Sequence, residues 1–109
     1  MEKKHYICTH SWSNENARKQ FIDQISNFTD KEYFEFVSTD KAELRETWMG
    51  REEFFFCHWF AESESAINEA IDAVGAGELM ATLPNEVSVV LSSSNLNNQK
   101  LLNFFPQID

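Results

Sequence analysis

The chain has 109 residues, 42% of them apolar and 14% aromatic, with ten Phe and three Trp. That fits one folded domain and excludes a disordered chain, which would be poor in such residues. The formal net charge of −9, from 18 acidic and 9 basic residues, opposes phosphate backbones and anionic lipid, so neither nucleic acid nor a membrane is an expected partner.

His5 to Trp12 reads as the first strand, with His5, Ile7, Thr9 and Ser11 on one side and Tyr6, Cys8, His10 and Trp12 on the other. Ser13 is placed to cap a helix whose buried stripe is Ala17, Phe21, Ile25 and Phe28. Thr29 followed by Glu32 has capping-box spacing and predicts a short helical turn through Tyr33 and Phe34. The alternating Tyr33, Glu35, Val37 fits a strand start equally well, and the two readings stay open. Ala42 to Met49 alternates, with Ala42, Leu44, Glu46 and Trp48 against Glu43, Arg45, Thr47 and Met49, as a half-buried or edge strand does. Gly50-Arg51-Glu52 turns it into a hairpin of open register.

The returning strand is Phe54-Phe55-Phe56-Cys57-His58-Trp59-Phe60. Phe54, Phe56, His58 and Phe60 point one way; Phe55, Cys57 and Trp59 point the other. A strand with one wet face alternates apolar with polar, and this one does not, so both its faces are expected to be covered. The chain's own helices can cover one face of a small sheet; the second calls for another protomer, a ligand, or both.

Ser63 or Ser65 then caps a second helix with the stripe Ala66, Ile67, Ala70, Ile71 and Val74, ended by Gly75 and Gly77. Glu78 to Thr82 reads as a connector, Pro84-Asn85 as a turn and Val87 to Leu91 as the last strand. Ser92 to Asn95 breaks it, and Gln99 to Phe105 reads as a short helical tail stopped by Pro106. Strand, helix, strand, strand, helix, strand is the ferredoxin-like βαββαβ order, an α+β fold with two helices on one face of a four-stranded antiparallel sheet.

This element order, with the Phe/Trp-rich third strand running into Ala61-Glu62-Ser63-Glu64-Ser65-Ala66, resembles the dimeric α/β-barrel superfamily over about residues 4 to 92. It is most similar to small uncharacterised members near the antibiotic-biosynthesis monooxygenases and stress-responsive barrel proteins. The resemblance implies a homodimer whose bare sheet faces pack into a barrel, with a pocket between each sheet and its helices or loops. The superfamily holds cofactor-free monooxygenases, haem-degrading enzymes, isomerases, dehydratases and pure binders, so fold does not choose among activities. No family's catalytic motif matches positions of this chain, and no catalytic residue is carried over.

His58 is the most informative polar residue, since an imidazole among aromatics must find a partner. If Cys8 and Cys57 share a face, then Ile7, Thr9 and Ser11 share the opposite one with Phe56, His58 and Phe60. Apolar walls with a few placed polar groups are the usual make-up of a small-molecule site. The expected function is binding of a small, largely apolar ligand, fatty-acid-like or aromatic with one polar end, in a homodimer. His58 and Thr9 would take the polar end, with Ile7, Phe56, Phe60 and Trp48 as walls. A cofactor-independent oxygenase or isomerase using His58 as general acid/base and a structural dimer without activity are the alternatives.

A metal site from His5, His10 and His58 is disfavoured, because His5 and His10 face opposite ways along one strand. Cys8 and Cys57 read as buried, inert thiols. The chain carries no GxGxxG, Walker, HExxH or GxSxG motif, and no cofactor is expected. With no apolar run near the ~20 residues that cross a bilayer and no signal-peptide pattern after Met1-Glu2-Lys3-Lys4, the expected location is cytoplasmic.

Overall fold

Lys4–Trp12 (β1), Ala42–Met49 (β2), Phe54–Ala61 (β3) and Met80–Val87 (β4) form one antiparallel sheet in the order β2-β3-β1-β4. The structure, a computed structural model, describes residues 2–104. Three helices complete it: Glu15–Ile25 (α1), Asp30–Val37 (α2) and Glu64–Ala73 (α3). The sheet order and central pair are those of the βαββαβ arrangement. The helix α2 is an addition between α1 and β2.

The core lies between the sheet and the helices. From the sheet it takes Tyr6, Cys8, His10 and Trp12 of β1 and Phe55, Cys57, Trp59 and Ala61 of β3. From the helices it takes Ala17 and Phe21 of α1, Val37 of α2, and Ala66, Ile67, Ala70 and Ile71 of α3. Burying a large aliphatic or aromatic side chain contributes roughly 1.5–3 kcal/mol, so this single layer carries most of the stabilisation. Trp12 stacks on Phe55 at 4.6 Å and meets Phe21 at 5.6 Å. Cys8 and Cys57 face each other across β1 and β3 as free thiols. Burial pushes both up to about 12, which leaves them protonated and unreactive.

Local chemistry accounts for the helix ends. Asn14, not Ser13, caps α1: its Oδ1 accepts from the Ala17 N–H at 2.8 Å. The Ser13 hydroxyl instead donates to the Glu78 carbonyl at 2.8 Å and ties the end of β1 to the approach of β4. Thr29 and Glu32 form a complete capping box, which decides the open reading in favour of a helix. Ser63 caps α3. At its other end Gly75 has φ +77, with Ala76 N–H donating to the Ile71 carbonyl and Gly75 N–H to that of Asp72, a Schellman ending.

Two strand readings are corrected. The last strand is Met80–Val87, through Pro84, and not Val87 to Leu91. On an edge strand one side of the backbone needs no partner, so a proline without N–H is tolerated, here opposite Cys8. Residues 88 to 91 have no strand left to pair with. In β2 the alternation is broken by an extra residue, Arg45: Leu44 lies opposite Trp59 and Glu46 opposite the next residue, His58. Ala42 and Leu44 face the helices before this bulge; Glu46 and Trp48 lie on the other face after it. The tail contains a single 3-10 turn, Leu101–Asn103, with Leu101 and Leu102 exposed. Phe105 and Pro106 lie outside the described residues.

Candidate functional site

The face of the sheet turned away from the helices carries His5, Ile7, Thr9 and Ser11 of β1 and Phe54, Phe56, His58 and Phe60 of β3. Pairing sets Ile7 opposite His58 and Thr9 opposite Phe56. Beyond β3 come Glu43, Glu46 and Trp48 of β2, opposite Phe60, His58 and Phe56. All six residues expected to line a ligand site (His58, Thr9, Ile7, Phe56, Phe60 and Trp48) therefore share this face. No element of the chain covers it among the described residues. Trp48 is 47% exposed, Phe56 43% and Phe54 49%, far from the burial usual for such side chains. At the hairpin end Trp48, Phe54 and Phe56, with Thr47, Met49, Gly50 and Glu52, line an open groove of ≈ 680 Å³.

The polar end of the face begins at His58 and Glu46, two residues or roughly 7 Å along the strands from Phe56 and Trp48, and continues to His5, opposite Phe60. His58 Nδ1 stands 3.6 Å from Glu46 Oε1, and its Nε2 stands 2.9 Å from His5 Nδ1. His58 Nε2 is thus hydrogen-bonded, while its Nδ1 faces the carboxylate beyond hydrogen-bond length. His5 packs on the Phe60 ring at 4.7 Å, and the Arg45 guanidinium lies over the same ring at 4.4 Å. Burial, then the neighbouring His58 and Arg45, holds the His5 imidazolium below its usual range, so His5 is neutral at pH 7. Arg45 and Lys3 converge on Glu43, at 3.2 and 3.4 Å, and this shared pairing holds the Glu43 carboxyl below the usual carboxylate range.

Sequence reasoning left His5 and Glu46 outside the ligand site. His5 was legible as sharing a face with Ile7 and Thr9, but its contact with His58 needs the β1–β3 register. Alternation groups Glu46 with the expected wall Trp48, but also with Ala42 and Leu44, and its place opposite His58 needs the bulged β2–β3 register. His10 departs to the core, 2% exposed, so the three histidines do not converge. Among the described residues no group of three or more His, Cys, Asp or Glu side chains is placed to hold a metal ion.

On the helix side of the sheet lies a second, small apolar space of about 20 Å³, room for one water. His10, Phe21, Tyr33, Leu44, Phe55 and Trp59 are among its walls. His10 Nδ1 meets Thr82 Oγ1 at 2.9 Å, while His10 Nε2 and Trp59 Nε1 are buried without a hydrogen-bond partner. Tyr33 closes the same region through its hydroxyl, 2.9 Å from Thr47 Oγ1, and burial pushes its pKa up to about 12.

No helix among the described residues is long and apolar enough to cross a membrane. No protein-family model matches this sequence, and neither the curated proteins nor the solved structures contain a match to it.

Proposed function

We propose that the chain is a binding protein for a small, largely apolar molecule with one polar end, held on the open sheet face and covered there by a second copy of the chain. The observation that carries this is the uncovered aromatic face itself. Trp48, Phe54 and Phe56 line a groove within the ≈ 300–1,000 Å³ usual for small-molecule sites, and one cluster of polar side chains stands next to it along the strands. A face apolar on this scale costs free energy in water and is stabilised by any apolar cover. The ligand would lie along β3, its apolar body on Phe56 and Trp48 and its polar end near His58 and His5.

The test is titration of the purified protein with alkyl-chain and aromatic probes, read by Trp fluorescence. Phe56→Ala is expected to weaken binding about tenfold or more, from the apolar area lost at the contact. Binding that is unchanged in Phe56→Ala and in Trp48→Ala contradicts the site.

A further inference from the structure

The polar cluster of the open face has a direction, and the direction specifies a class of ligand. A neutral imidazole carries one proton, on one of its two nitrogens. An ionised carboxylate only accepts, so Glu46, beside His58 Nδ1 at 3.6 Å, favours the tautomer with the proton on that nitrogen. His58 Nε2 is then a bare lone pair. The 2.9 Å contact between His58 Nε2 and His5 Nδ1 must therefore be donated by His5. That uses the one proton of a neutral His5 and leaves its Nε2 bare. This nitrogen makes no hydrogen bond to the described residues, and His5 lies half-buried on the ligand face.

Resting on the reading of the open face as a ligand site, we infer that His5 Nε2 takes the polar end of the ligand and takes it as an acceptor. The ligand class is an apolar molecule ending in a hydroxyl, such as an alkylphenol or a long-chain alcohol, rather than a ketone, an ester or a carboxylate. Glu46 and His58 act as positioning residues that set the tautomer of His5. The nearest cations argue in the same direction. Arg45 and Lys3 both pair with Glu43, so a ligand carboxylate would have to displace an existing partner. The His5 ring leans onto His58, two residues or roughly 7 Å along β3 from Phe56, which suits a hydroxyl carried close to an aromatic or alkyl body lying over Phe56 and Trp48.

Two measurements test this on the full chain. Long-range ¹⁵N–¹H correlation spectra of the imidazoles at pH 7.5 report which nitrogen carries the proton, with or without ligand. The expected result is a protonated Nδ1 and bare Nε2 on both His5 and His58; a proton on His5 Nε2 overturns the inference. The second is the affinity for 4-octylphenol against its methyl ether, which keeps the octylphenyl body, adds one methyl and lacks the donor. The phenol is expected to bind about tenfold more tightly, the worth of one hydrogen bond. In Glu46→Gln the side-chain amide can donate to His58 Nδ1 and reverse both tautomers, so that preference should vanish or invert. Equal affinity of the wild type for phenol and ether overturns the ligand class and leaves the face as a binding site. Failure of both compounds to bind overturns the face as a ligand site and this inference with it.

Discussion

His10 is a titratable group held in an apolar wall, stacked on Phe55 at 4.6 Å with one nitrogen unpartnered. Burial lowers its pKa from 6.5 to about 4. The folded state therefore binds fewer protons than the unfolded chain between those two values, and stability must fall as pH drops from about 6.5 to about 4. The loss from this one residue is on the order of 3 kcal/mol, and His5, also held below its usual range, adds in the same direction. Urea unfolding at pH 7 and pH 4.5 should show the loss in the wild type and a clearly smaller one in His10→Phe. Equal losses in both would contradict a neutral, buried His10. The position of His10 opposite His5 was legible from strand alternation alone. That its Nδ1 reaches Thr82 was not, because residues 78 to 82 read as a connector until β4 is placed beside β1.

Elements with strong local chemistry were the legible ones. Phe54 to Ala61 is strand on hydrophobic content alone, and α3 follows from its stripe between Ser63 and Gly75. The caps at α2 and α3 are separately testable. Thr29→Ala removes the acceptor for the Glu32 N–H and should cost about 1 kcal/mol in chemical unfolding. Gly75→Ala places a side chain at φ +77 and should cost a similar amount; a stabilised Gly75→Ala would contradict that backbone geometry. Elements decided by pairing were not legible. The bulge at Arg45 has no local signal, since a two-against-one register exists only once β3 is opposite β2. It moves Trp48 and Glu46 to the ligand face, so the make-up of the candidate site depended on the least readable step. The strand β4 was misplaced for a related reason. Pro84 reads as a breaker in isolation and is tolerated because one side of an edge strand stays unpaired.

At the scale of the molecule, one sheet face is covered and the other is bare among the described residues. Its helices lie on one side, and the other presents Trp48, Phe54 and Phe56 to solvent beside the His5–His58–Glu46 cluster. A net charge of −9 favours solubility and does not remove the cost of that apolar surface. The central claim, that a second copy covers this face, is tested most directly by native mass spectrometry of the purified wild type and of Phe56→Lys at neutral pH. Phe56 points away from the core, so the variant should keep the wild-type circular dichroism. A wild-type dimer that becomes a folded monomer in Phe56→Lys is the predicted result. A monomeric wild type at tens of micromolar, or a dimer untouched by a lysine in the middle of the face, would contradict it.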